Sequence, residues 1–363
     1  MIDFIPLDKY APLFFNVMLL VVFIVWLNSR STELTNNKSL KSKAAVGILL
    51  LVLLVPYIGL RPVSGQYFGD TQTYANTFTA YSWGAEMTDV KDIGFDSLMK
   101  FCSSFMDINQ FFLLCAFLFL FPMYIASKKL FKEYWFYSFV ILLSSFSFWG
   151  AATNGVRTGV ATSLILLAFA FRDKKVIAIV LMLIAVSFHK SMLLPLVAYA
   201  FTAFYRDTKM LLLFWFLCIP ASIAMGSTFE TVFELIGFAD RASDYLTDEF
   251  NEQFSRTGFR WDFLLYSATA VFAGWFFIVK KKFDDPLYIQ LFNTYLIANA
   301  FWILVIRASF SNRFAYLSWF MMGLIIVYPF LKVQFFKHQH QILGNILMVY
   351  FMFTYVLNVI LVK

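Results

Sequence analysis

Apolar runs broken by short polar stretches set the pattern of this chain from Ala11 onward. Measured against the roughly 20 residues that carry a helix across a bilayer, the runs predict spans near 11–28, 43–60, 110–127, 133–150, 156–171, 176–188, 191–205, 209–226, 262–279, 287–306, 314–331 and 341–361. The expected fold is all-α, a single polytopic transmembrane domain over 1–363 with about twelve membrane helices and both termini outside. Two polar segments, 61–109 and 226–260, are long enough to hold more than a turn and fall on one face. Neither is of low complexity, and the chain shows no internal repeat. The first run, Ala11 to Leu27, lacks the basic leader and small-residue cleavage site of a secretory signal, so it is expected to stay as a span.

Composition removes the soluble classes. Of 363 residues, 61% are hydrophobic and 14% charged, with a mean hydropathy of +0.72, a balance that water-soluble domains do not carry. The 47 phenylalanines and 18 tyrosines suit lipid-facing and interfacial surfaces and need no cofactor to explain them. Cys102, Cys115 and Cys218 have neither paired nor metal-like spacing, so no disulfide and no metal is expected.

The positions of Lys and Arg assign sides. Clusters at 30–43, 128–132, 172–175, 206–209, 280–282 and 332–337 are separated by enough apolar sequence to leave the membrane and return. Placed on the cytoplasmic side they hold 14 Lys and 3 Arg, whereas the opposite side and its boundary hold 5 Lys and 7 Arg. Net charge divides the same way, +11 inside and −4 outside. Lysine inside is the ordinary topogenic signal; arginine outside asks for another explanation.

His189 stands in a polar break, Ser187, His189, Lys190 and Ser191, within the apolar run from Val176 to Phe204. Each arm of that run has about 14 residues, roughly 21 Å of helix against a hydrocarbon core of about 30 Å. Two short arms keep the later charges on their expected sides, whereas one fused helix would put Lys280, Lys281 and Lys282 outside. A short hairpin sets its polar apex below the outer lipid surface, in protein or in a water-filled recess. An imidazole there suits taking a proton from a hydroxyl near neutral pH, and hydrogen-bonded packing is the plain alternative. Asp70 is the competing base, or the group that orients the histidine or a sugar hydroxyl; a loop aspartate is as often a turn or capping residue.

The outer arginines are Arg61, Arg157, Arg241, Arg256, Arg260, Arg307 and Arg313. A guanidinium is always charged and offers a planar fork of donors to a diphosphate. Snorkelling, or pairing with Asp and Glu, would also account for any one of them. Arg157 stands apart, because Asn154-Gly155-Val156-Arg157-Thr158-Gly159-Val160-Ala161 puts it among small residues at a helix start, where free backbone amides favour an anion.

In order along the chain, Arg61-Pro62 with Gly69-Asp70 and Tyr74, Gly94-Phe95, Asn154-x-x-Arg157-x-Gly159-x-Ala161, Phe188-His189-x-Ser191 with Pro195, Arg260-x-Asp262 and Arg313-x-x-Tyr316 resemble the EpsG-like branch of the bacterial Wzy polysaccharide polymerases. The likeness covers most of the chain, while the remaining apolar sequence shows none and leaves sugar specificity open. The resemblance implies a metal-independent, cofactor-free glycosyltransferase of the membrane-embedded GT-C type. Such an enzyme joins undecaprenyl-diphosphate-linked repeat units at the outer face of the bacterial inner membrane, by a single inverting displacement. By that resemblance Arg157, with Arg260, Arg313 and Arg61, holds the donor diphosphate, and His189 takes the acceptor proton. Tyr74, Tyr81, Trp83 and Tyr245 are then the residues placed to stack on sugar. The partners implied are lipid-linked glycans, membrane lipids, a Wzz-type chain-length regulator and a flippase, with no nucleic acid. A flippase or transporter for the same lipid-linked sugars, a membrane O-acyltransferase and an O-antigen ligase stay open; the ligase differs only in its acceptor.

Overall fold

A computed structural model describes residues 2–88, 90, 92–233, 258–308 and 311–361, and all regular structure in them is helical. The first helices are α1 (Tyr10–Ser31), α2 (Asn37–Gly59), α3 (Gly65–Phe68), α4 (Thr71–Ser82), α5 (Ile93–Ser103) and α6 (Ile108–Phe131). Next come α7 (Trp135–Leu143), α8 (Phe146–Thr153), α9 (Val156–Ala170), α10 (Lys175–Phe188), α11 (Leu193–Phe204) and α12 (Thr208–Phe233). The last are α13 (Trp261–Trp275), α14 (Pro286–Leu304), α15 (Asn312–Trp319), α16 (Met322–Lys332) and α17 (Gln339–Tyr355).

Among the described residues eight stretches are long and apolar enough to cross a membrane: Leu7–Ser31, Asn37–Gly59, Ile108–Leu143, Thr208–Gly226, Trp261–Lys280, Pro286–Leu304, Asn312–Lys332 and Gln339–Ile360. Val156–Ala170, Lys175–Phe188 and Lys190–Phe204 are shorter apolar helices. The chain is thus a multi-pass, all-α membrane protein. Eight such stretches stand against the about twelve membrane helices expected: windows 156–171, 176–188 and 191–205 hold the three shorter helices, and 110–127 lies with the first part of 133–150 in one stretch, Ile108–Leu143. Two windows are also built differently from the expectation. Window 133–150 is divided where Ser145 turns extended (ψ 146°) between α7 and α8, and window 314–331 is made of α15 and α16. The chain also breaks at His189, which is extended (φ −154°, ψ 101°), so α10 and α11 are two helices and not one. Large apolar side chains such as Leu49, Val52, Leu183, Phe216 and Leu265 stand exposed on helix surfaces, as a lipid environment permits.

Internal packing divides the chain into two compact units, Met1–Lys190 with Phe330–Lys363, and Ser191–Pro329. In the first, α6 packs against α2, α7 and α9, α9 against α10, and α1 against α17. Small residues make the α6 and α9 contact close: Gly159, Ala161 and Ser163 are buried, and the Ser163 hydroxyl donates to the Phe119 carbonyl. A buried polar network ties α1, α2, α7 and α17 together. His340 Nδ1 donates to the Thr32 carbonyl at 2.6 Å, which leaves Nε2 to accept from the Tyr137 hydroxyl at 2.6 Å. Lys43 donates to Asn28 Oδ1 and Ser39 Oγ beneath the Tyr137 ring.

The polar segment 61–109 folds into α3, α4 and α5. Its first residue is a structural clamp. Arg61 is buried, donates through Nη1 to the Ile58 carbonyl and through Nη2 to the Thr153 carbonyl at 2.7 Å, and lies over the Phe68 and Phe112 rings. A cation set on the carbonyl ends of α2 and α8 satisfies groups that no residue within those helices can reach.

In the second unit α14 is the centre, packed by α11, α12, α13 and α15. Asp285 caps it by accepting from the Leu287 and Tyr288 amides at 2.9 Å, with Pro286 in its first turn. Its buried polar residues are matched across helices: Asn293 accepts from Thr208, Thr294 pairs with Thr202, and Asn299 accepts from Trp215 Nε1 while donating to Ser318. Polar glue of this kind fixes which faces of an all-apolar helix meet.

A hydrogen bond from a charged donor contributes about 1.5–3 kcal/mol, so Arg61→Ala is expected to cost roughly 3 kcal/mol or more. Thermal unfolding of the detergent-extracted protein checks this; an unchanged midpoint would mean that the helix ends find other donors.

Candidate functional site

Four places in the first unit contribute the site: α4, the residue before α5, the first turn of α9, and the residues after α10. A local apolar core holds them. Tyr74, Phe78, Phe95, Met99, Cys102, Phe111, Phe112, Cys115 and Val156 form one buried cluster, with Phe188 packed on it. In α4 the buried positions Thr71, Tyr74, Ala75 and Phe78 are spaced i, i+3, i+4, i+7, as an amphipathic helix requires. Phe95, Met99 and Cys102 do the same for α5.

Two glycines set the spacing. A side chain on Gly94 would begin 2.2 Å from Ser187 Oγ, so α5 lies against α10 only because that position has none. Gly69 has φ 54°, in the left-handed region, and a Cβ there would sit 2.3 Å from Asn154 Oδ1. That same oxygen accepts the Asp70 amide at 2.9 Å and ties the start of α4 to the turn before α9.

The centre is Asp92. It stands at the position that would cap α5, yet its carboxylate makes no capping bond and reaches across to other elements. Oδ2 lies 2.8 Å from Arg157 Nη1 and 3.6 Å from His189 Nδ1, and Oδ1 accepts the Lys190 amide at 2.9 Å. Arg157 Nε donates to the Tyr74 hydroxyl at 3.1 Å, with the guanidinium 5.4 Å from that ring's centre. On the far side of the imidazole, Nε2 is 3.2 Å from Thr158 Oγ1. The Asp92 side chain has no accessible surface and that of His189 has 10%, whereas Arg157 keeps 28%, so the arginine is the member that opens outward. Beside it, burial pushes the Asp96 carboxyl up, with Arg157 opposing, and burial pushes the Tyr74 phenol up.

The structure therefore brings together Arg157, His189 and Tyr74 of the residues expected from sequence, and adds Asp92 and Thr158. Tyr74 is buried under Arg157 and positions it, in contrast to the sugar-stacking place expected of it. The carboxylate beside His189 Nδ1 is Asp92; Asp70, half-buried at the start of α4, is held through its backbone amide. Arg61 is the clamp described above. Arg260, in the second unit, makes a bidentate pair with Asp262 (2.9 and 2.6 Å) and lies over Phe263. Arg313, in the same unit, is exposed at the start of α15. Tyr81 is half-buried with its hydroxyl 3.5 Å from Asp96 Oδ1, and Trp83 is exposed. Tyr245, Arg241 and Arg256 lie outside the described residues. Among the described residues no three His, Cys, Asp or Glu side chains converge as metal ligands. The three cysteines are buried and unpaired.

Asp92 carried a signal that its composition hides. The 3.6-residue spacing of Phe95, Met99 and Cys102 marks an amphipathic helix, and Asp92 is the polar residue at its start.

Fold and site define a multi-pass membrane protein with a buried carboxylate shared between a guanidinium and an imidazole. The chain belongs to the EpsG family, whose sequence model matches residues 44–363. That membership makes it a membrane protein of polysaccharide synthesis. No curated protein and no solved structure matches it.

Overpacking a tight contact costs about 1–3 kcal/mol, the loss expected for Gly94→Ala in thermal unfolding. Adding Ser187→Gly should return part of it; an undiminished loss in the double variant would place the clash elsewhere.

Proposed function

We propose that the protein is a polysaccharide polymerase, a glycosyltransferase that joins polyprenyl-diphosphate-linked oligosaccharide units at the outer face of the bacterial inner membrane. The observation that carries this is the state of Arg157. Its Nε and Nη1 are fixed by Tyr74 and Asp92, while the remaining edge of the fork has no hydrogen-bond partner among the described residues and the side chain is partly open. A guanidinium so oriented is built to receive a phosphate oxygen. Family membership supports the same chemistry, and the excess of arginine over the expected outer surface supports that side.

In the proposed reaction Arg157 binds the donor diphosphate and stabilises the charge that develops as it leaves. His189 takes the proton of the attacking acceptor hydroxyl through Nε2, the nitrogen that faces Thr158. Attack opposite the diphosphate inverts the anomeric centre, and a diphosphate leaves without a general acid. The proposal rests on the first unit alone. Undecaprenyl is the carrier expected from the family, and a Wzz-type regulator and a flippase are the partners that go with it.

The test is deletion of the gene in its own host, with the surface glycan separated by size beside wild type and complemented variants. Collapse from a ladder to single repeat units identifies a polymerase. Loss of even the single unit would instead identify a transporter, and unchanged lengths with altered acylation an acyltransferase.

Arg157→Ala should abolish polymer with the protein still in the membrane, and Arg157→Lys should restore less than about a tenth of it, because a point charge lacks the fork. Wild-type chain lengths from Arg157→Lys would remove the bidentate role. His189→Ala should lower turnover by about 10²–10⁴-fold while retaining lipid-diphosphate binding; unchanged chain lengths would reduce the histidine to packing.

A further inference from the structure

One atom, Asp92 Oδ2, lies 2.8 Å from Arg157 Nη1 and 3.6 Å from His189 Nδ1. The first is a formed ion pair and the second falls just outside hydrogen-bond reach. The Lys190 amide tethers the other oxygen at 2.9 Å. A movement of about 0.8 Å would bring Oδ2 from its present distance to a normal bond with the imidazole. We propose that Asp92 is a positioning residue that couples donor binding to the strength of the base: a diphosphate arriving on Arg157 displaces Oδ2 from the guanidinium, and Oδ2 moves onto His189. This inference rests on the polymerase proposal above.

The physical reason is competition between anions. In the absence of donor, Asp92 neutralises Arg157 inside a nearly dry cluster, where an unpaired guanidinium would be costly. A diphosphate supplies more negative charge to the same cation and repels the carboxylate beside it. Among the described residues the imidazole, with Nδ1 3.6 Å from Oδ2, stands ready to receive that carboxylate. Among the described residues, the other charged or titratable groups around the pair include Asp96 on α5, Tyr74 on α4 with Asp70 at its start, and Lys190 after α10.

In the transfer step the acceptor oxygen forms its bond to the anomeric carbon, and the bond from that carbon to the diphosphate oxygen breaks. The electron pair leaves with the diphosphate, against Arg157. The hydroxyl proton passes to His189 Nε2, and the imidazolium so formed presents Nδ1–H to Asp92, whose charge stabilises it. Donor binding thereby strengthens the base only when there is something to transfer.

The experiment uses the purified full-length protein in lipid nanodiscs. Binding is titrated with sugar-free polyprenyl diphosphate, and turnover is followed over a pH series on lipid-linked units extracted from a host lacking this gene. Asp92→Asn should bind the diphosphate within about threefold of wild type, or more tightly, while turnover falls at least about tenfold. The acid limb of its pH profile should move to lower pH, because an imidazolium without its carboxylate gives up its proton more easily. Asp92→Glu should recover part of both the rate and the limb. Loss of affinity in step with turnover, with the limb unmoved, would overturn the coupling and make Asp92 a brace for Arg157. Should Asp92→Asn not accumulate, Asp92→Glu decides alone, since kept affinity with a lowered rate supports the coupling and lost affinity overturns it. A wild-type protein that neither binds polyprenyl diphosphate nor extends the lipid-linked units overturns the polymerase proposal and the coupling with it.

Discussion

A carboxylate with no accessible surface cannot stay ionised unless cations or donors surround it, and Asp92 imposes that constraint on the first unit. Arg157 supplies the charge, the Lys190 amide a donor, and His189 a second partner within 3.6 Å. Arg157 comes from one stretch of chain and the adjacent His189 and Lys190 from another, so satisfying one buried group requires α5, α9 and the end of α10 to converge. The close contacts nearby serve that convergence. Gly94 lets α5 lie against Ser187, and Gly69 lets the start of α4 meet Asn154 two residues ahead of α9.

The apolar helices were legible in the sequence because a membrane span needs only length and apolarity, but their number was not: about twelve spans were expected, and among the described residues eight stretches are long and apolar enough to cross. What each helix faces was not legible. When all sides of a helix are apolar, neither lipid nor protein leaves a periodic mark, and packing is decided by a few buried polar atoms. Asn299 on α14 is such a case: its partners Trp215, Ser267 and Ser318 sit on three other helices, and no local pattern announces them. The break at Ser145 escaped for a related reason, since serine is tolerated in a membrane helix and marks no end by itself.

At the site, the arginine among small residues and the lone histidine in an apolar run could both be found, because each is expensive where it stands and invites a reason. Asp92 offered no such contrast, lying in a polar stretch where aspartate is ordinary and where its place before α5 reads as a cap. Arg61 shows the converse case. Its position at the end of a span resembles that of Arg157, yet it is buried and its Nη1 and Nη2 donate to the carbonyl ends of α2 and α8. Burial and partner, not residue type, separate a partly open arginine from one enclosed in the packing.

The length of α9 and α10 gives the cluster its setting. With 15 and 14 residues they span about 22 and 21 Å, short of a hydrocarbon core of about 30 Å. They pack against each other as consecutive helices, so the start of α9 and the end of α10 lie at the same end, which is where Arg157 and His189 stand. At that packed end the Asp92 side chain has no accessible surface and that of His189 has 10%. Little water is left to screen the carboxylate there, so its charge acts on the guanidinium and the imidazole together, and moving any one of the three changes the energy of the other two.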